Sequence, residues 1–216
     1  MPEDPRLDEE KETGRVEAFS DGVIAIAVTL LILEIKVPRP DEIASVGLFA
    51  RLLSLWPSFL AFVTSFGTIL VMWVNHHRIF RLVRIPDYPF LYWNGFLLLT
   101  ITFVPYPTAL LAQYLASPEA PVATAVYAGS FVITAPAFNG LWRHLRKNPR
   151  LLFASVDPDE IEGITRQYRF GPLLYLIAFG LAFVSVAASI ATCLALAVFF
   201  AFAGRPGRTE SPNKLG

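Results

Sequence analysis

The stretch that most constrains this chain is residues 15–37, RVEAFSDGVIAIAVTLLILEIKV, in which a charged, polar entry runs directly into a long apolar segment. After Asp21, only Glu34 and Lys36 carry charge as far as Val37. At about 1.5 Å per residue, residues 19–37 make a helix of roughly 28 Å, close to the ~30 Å hydrocarbon core of a bilayer. The stretch reads as a first transmembrane helix. Composition agrees: 54% of the 216 residues are hydrophobic, 17% are charged and the mean hydropathy is +0.50, which is too apolar for an ordinary soluble domain. An all-α integral membrane protein is expected.

Projected at about 100° per residue, Gly22, Ile26, Thr29, Leu30, Leu33 and Val37 fall on one stripe, within roughly 60° of Ile26. Ser20 lies about 120° from that stripe and Asp21 about 140°. The stripe and the polar pair therefore serve different surroundings. Ordinary packing would account for the Ile and Leu residues, but an ionised residue inside a membrane helix costs about 2.5–3.5 kcal/mol at the centre, less near an end, and marks a pathway or a buried partner. The stripe is read as the wall of an ion pathway. Asp21 is expected to accept hydrogen bonds from His76 or His77 and from Asn75, fixing the first helix against the second.

Residues 1–14, MPEDPRLDEEKETG, are acidic and rich in breakers and are expected to form a solvated tail. A second helix is predicted over 52–75, ending in a polar cluster of Trp73, Asn75, His76, His77 and Arg78. The adjacent histidines point about 100° apart and have no cysteine or carboxylate beside them, so they do not read as a metal site. A third helix over 90–114 should be broken or kinked by Pro105 and Pro107. The fourth is predicted over 122–145 with Pro136 inside it. The polar connection 143–168 is expected as a solvated loop, with Asp157 capping a short helix whose first turn is acidic. Residues 171–203 would reach about 50 Å as one helix. They are read as a hairpin of helices over 168–185 and 188–202, with one long tilted helix as the alternative. Cys193, the only cysteine, excludes an intrachain disulfide and reads as a small buried residue.

These residues also carry a resemblance. Arg15, Phe19, Ser20 and Asp21 spell R-x-x-x-F-S-D, followed by GVIAIAVTLLIL, which is similar to the signature that opens the first helix in the transmembrane protein 175 family, the endolysosomal potassium channels and their prokaryotic relatives. WVNHHR at 73–78 resembles the end of that family's second helix, and PYPTALL at 105–111 a stretch of its third. The resemblance implies a potassium-permeable channel in which four first helices meet at an axis, and a network linking the 73–78 cluster to Arg15 and Asp21. No repeat of the six-helix block occurs, so a homotetramer is required. Ile26, Leu30 and Leu33 would then form apolar constriction rings, and Thr29 would contact a partly hydrated cation, a role that the resemblance supports.

Six crossings place the N-terminal tail with Arg15, the connection 76–89, the connection from 143 through Arg169, and the C-terminal tail 205–216 on one side, together with 15 of the 18 Lys and Arg. The positive-inside rule assigns that side to the cytoplasm. Similarity to the prokaryotic members implies a plasma membrane. No P-loop, G-x-S-x-G, H-E-x-x-H or dinucleotide fingerprint is present, so an enzyme is not expected. Nor is S-F-G-T-I at 65–69 the T-V-G-Y-G filter of ordinary potassium channels. The expected partners are the lipid bilayer and monovalent cations, without nucleic acid; potassium is the permeant ion and no cofactor is foreseen. A secondary transporter, or a non-conducting accessory membrane protein, is the alternative. The channel domain is taken as 15–204.

Overall fold

A computed structural model describes residues 5–202, and the C-terminal tail lies outside them. The first helix, α1 (Pro5–Leu30), tightens into a 3-10 turn over Leu31–Glu34. It begins within the segment read as a tail, so residues 5–14 are helical and continuous with the apolar part. Two short helices, α2 (Pro40–Ile43) and α3 (Leu48–Ser54), follow, the second opening at Gly47 with φ 78°, a conformation that favours glycine. On this connection the Arg51 guanidinium donates to Glu42 and holds that carboxyl below its usual range.

The second long helix is α4 (Trp56–Phe80), with Pro57 in its first turn, where the missing N–H costs nothing. The third is divided into α5 (Tyr88–Phe103) and α6 (Pro105–Tyr114), broken at Val104. Pro105 cannot donate to the Ile101 carbonyl, which instead accepts from Val104 N–H at 3.1 Å. The Thr108 hydroxyl lies 2.7 Å from Ser65 Oγ, which donates to Tyr127 Oη at 3.3 Å, so the break is tied to α4 and to α7 (Ala120–Lys147). Irregular backbone within a membrane survives only where protein supplies such partners.

The Arg143 to Tyr168 connection is more ordered than a solvated loop. Leu151 and Leu152 are buried, and Arg84 N–H donates to Leu151 O at 2.8 Å while Phe153 N–H donates to Leu82 O at 3.1 Å, joining it to the loop after α4. Its last part is α8 (Pro158–Arg169), capped by Asp157, whose carboxylate accepts from Asp159 N–H at 2.9 Å. Apolar Leu-Leu-Phe after Pro149 supplies what a solvated loop would lack, a side to bury.

Residues 171–202 form a hairpin of α9 (Gly171–Leu181) and α10 (Val186–Phe202). Ser185 turns the chain: its N–H donates to Leu181 O at 2.8 Å and its hydroxyl accepts from Ala188 N–H at 3.3 Å. Ser189 Oγ donates back to Ala178 O at 2.7 Å across the pair. Among the described residues, four helical segments are long and apolar enough to cross a membrane: Lys11–Glu34, Trp56–Phe80, Tyr88–Tyr114 and Ala120–Lys147. The α9 helix, 11 residues long, reaches only about 16 Å by itself. At the centre stands α7, packed on α5, α6 and α9, and its buried side carries Tyr127, Phe131 and Trp142.

Candidate pore helix and its polar anchors

Within α1, burial alternates with helical period. Along α1 and its 3-10 turn, Ile24, Ala27 and Leu31 are buried, α1 packing on α4 and α5 and the turn on α4 and α6, whereas Arg15, Phe19, Gly22, Ile26, Thr29, Leu30 and Leu33 are exposed. The uncovered residues form one apolar face, with Ile26 61% and Leu33 67% exposed. The span containing α1 has 22% of its most apolar window buried inside the chain, against 44%, 44% and 61% for the other three, so this helix is peripheral to its own bundle. On its open face the Thr29 hydroxyl donates to Ile26 O at 2.9 Å. Its proton is thereby committed to the backbone, and the oxygen lone pairs remain for an outside group.

The opposite side of α1 is anchored by two layers of hydrogen bonds. Towards α4, Trp73 Nε1 donates to Asp21 Oδ1 at 2.9 Å and His77 Nδ1 lies 2.8 Å from Glu17 Oε1. Glu17 and Asp21 are four residues apart, as are Trp73 and His77, so two adjacent turns of one helix match two turns of the other. Towards α5, Asn94 Nδ2 donates to Ser20 Oγ at 2.9 Å, and Ser20 passes its own proton to Val16 O at 2.8 Å. His76 Nε2 reaches Asn94 Oδ1 at 2.9 Å; an amide oxygen only accepts, so the ring donates. Ser20, Asn94 and His76 thus make a buried chain across three helices, with His76 Nδ1 left without a hydrogen-bond partner.

This arrangement corrects the expectation for Asp21: its partner is Trp73, and His76, His77 and Asn75 bond elsewhere. The reason is rotation. Asn75 is about 160° around the helix from both Trp73 and His77. It therefore faces away from α1, where its Nδ2 donates to Phe200 O at 3.1 Å and its Oδ1 accepts from Gln167 at 3.2 Å and Tyr168 Oη at 3.3 Å. Arg15 also departs from the implied network; it stands on the open face of α1 and bonds to nothing among the described residues. Glu17, Asn94 and Gln167 were not singled out in the sequence. A lone amide in the run YPFLYWNGFLLLT was the available signal for Asn94. Among the described residues no cluster of three or more His, Cys, Asp or Glu is placed to hold a metal.

Comparison with known proteins sets this geometry in a lineage. A family profile described as endosomal/lysosomal potassium channel TMEM175 matches residues 15–105, the part that holds α1 from Arg15 onward, the Trp73 to Arg78 cluster and Asn94. A potassium channel of Chamaesiphon minutus is 61% identical over 193 residues, covering 89% of this chain and 95% of the relative. A potassium channel of Streptomyces collinus is 44% identical over 192 residues, covering 88% and 92%. The crystal structure of a lysosomal potassium-selective channel TMEM175 homologue from Chamaesiphon minutus matches with a TM-score of 0.82 and 57% identity, over 91% of this chain and all of that one.

Proposed function

Because the chain belongs to the TMEM175 family of ion channels, which are not enzymes, we propose that it forms a potassium-permeable channel in a prokaryotic plasma membrane. Four copies would set their α1 helices around a common axis. Ile26, Leu30 and Leu33 are the successive constriction rings, and Thr29 is the residue that contacts a partly dehydrated ion. Each chain crosses six times, the α9–α10 hairpin supplying the last two crossings, with both termini in the cytoplasm.

The observation that carries this reading is the open face of α1. A helix held on one side by Glu17, Ser20 and Asp21, yet left apolar and uncovered along Phe19, Gly22, Ile26, Leu30 and Leu33, is built to meet copies of itself. Apolar rings at a narrow axis exclude hydrated ions by dewetting and conduct only when widened or supplied with oxygen. Thr29 supplies that oxygen between Ile26 and Leu30. Potassium is the assigned permeant because relatives covering most of the chain are named potassium channels.

The test is ion flux through the purified protein in liposomes, under potassium and sodium gradients, with Ile26→Asn in parallel. Potassium flux above sodium flux, with larger conductance and poorer discrimination in the variant, is the expected result. No passive flux from an intact oligomer, or flux that needs a coupled second ion, would overturn it.

A further inference from the structure

On the side of the bundle where α7 ends and α5 and α9 begin, a groove of about 440 Å³ opens between these three helices. Its walls include Trp93, Pro136, Gly140 and Pro172, with Asn139 and His144 on the same helix as Gly140, and Arg143 and Lys147 line it as well. The groove owes its floor to Gly140. A Cβ there would sit 2.3 Å from the Trp93 ring, so the indole lies against bare α7 backbone and leaves a slot beside it.

Several of the cations of this chain are already paired. His144 is bound to Asp87 at 2.8 Å, Arg78 to Glu160 at 3.4 Å and Arg166 to Glu162 at 3.2 Å. Arg143 and Lys147, one turn apart on α7, are exposed and have no hydrogen bond or ion pair among the described residues. The carboxylate beside them, Asp87, already serves His144 and caps α5. From Arg143 to Pro136 the groove runs about 10 Å along α7, and from Lys147 about 16 Å, passing from charge to apolar wall. That gradient is the profile of one membrane leaflet. Trp93 and the exposed Tyr88 and Tyr92 in the first turns of α5 are placed as interfacial aromatics are.

We propose that this groove binds an anionic phospholipid of the adjoining leaflet, its phosphate between Arg143 and Lys147 and its glycerol and first acyl segment along Trp93, Pro136 and Pro172. Charge complementarity selects the occupant. Two unpaired cations favour a head group with net negative charge and disfavour a choline, and basic pockets between membrane helices recognise anionic lipids in this way. The volume lies in the range of small-molecule sites. This site is separate from the open face of α1, and its readout does not depend on ion conduction.

Native mass spectrometry of the purified full-length oligomer, titrated with phosphatidylglycerol or phosphatidylcholine, tests it. The wild type should retain phosphatidylglycerol about ten-fold more strongly than phosphatidylcholine. The Arg143→Gln, Lys147→Gln double variant should lose that preference, while Arg146→Gln, Arg150→Gln, with the same change of charge outside the groove, should keep it. Each single variant, Arg143→Gln or Lys147→Gln, should lose part of it. Equal loss in the control pair would overturn the proposal, as would displacement of the lipid by millimolar inorganic phosphate. Dissociation of the oligomer in the groove variant alone would assign the groove to a contact between copies and overturn it too.

Discussion

Trp73 Nε1 donates to Asp21 Oδ1 at 2.9 Å across 52 residues of sequence, joining the helix that carries the open apolar face to the helix behind it. One turn away, His77 and Glu17 repeat the contact. The first helix is therefore held by its polar side so that its apolar side is free. Hydrogen bonds to ionised groups contribute about 1.5–3 kcal/mol each, more than neutral ones.

Replacing either member should expose this clamp. Trp73→Phe leaves a half-buried carboxylate short of a donor, and Asp21→Asn removes the charge; each is expected to cost about 1–3 kcal/mol. Because the two share one bond, the double variant should cost less than the sum of the singles. Thermal unfolding of the four proteins in one detergent checks this, and strict additivity would show that Asp21 and Trp73 act independently.

Asn94 is the link between Ser20 and His76, and both lose a partner when it is shortened. Asn94→Ala should cost about 2–3 kcal/mol, because the buried His76 Nε2–H is left unsatisfied at about 1–3 kcal/mol while Ser20 loses an incoming donor but keeps its bond to Val16 O. Ser20→Ala, which orphans only one Asn94 donor, should cost about half as much. Oligomer yield and melting midpoint give the comparison.

Thr29→Val keeps the shape of the side chain and removes its oxygen. Thr29 is exposed within the chain, so stability should change by less than about 0.5 kcal/mol. If the hydroxyl contacts the ion, potassium flux over sodium flux should fall by up to about ten-fold, the equivalent of ~1.4 kcal/mol per lost contact. Liposome flux beside a melting curve separates the two effects.

Gly140→Ala places a methyl group where the Trp93 ring lies, 2.3 Å away, and overpacking of this kind costs about 1–3 kcal/mol. Removing the ring should relieve the strain, so Gly140→Ala combined with Trp93→Ala should be no less stable than Trp93→Ala alone. Intrinsic tryptophan fluorescence, followed through unfolding, reports both the ring's environment and the midpoint.

Several elements were legible because their causes are local. Residues 15–37 announce a membrane helix by hydropathy and length, and the stripe through Ile26, Thr29, Leu30 and Leu33 follows from 100° per residue alone. The break at Val104 follows from two prolines that cannot donate, and the turn at Ser185 from small polar residues inside an apolar run that is too long for one crossing. Asp157 as a cap is likewise a matter of three neighbouring residues. The helical start at Pro5 was missed because acidic, breaker-rich composition argues against a packed core but does not forbid extension of a helix already nucleated downstream.

By itself, then, the sequence determined that the chain is a bundle of membrane helices, where those helices break, and which face of the first one is apolar. Tertiary structure alone decided the partners: Trp73 rather than a histidine for Asp21, Asn94 as the link between Ser20 and His76, and Asn75 turned towards Phe200, Gln167 and Tyr168. Hydropathy and period depend on residues a few positions apart. Which donor meets which acceptor depends on the rotation and depth at which two helices pack, and with Asp21 and Trp73 separated by 52 positions and Ser20 and Asn94 by 74, no local pattern records it.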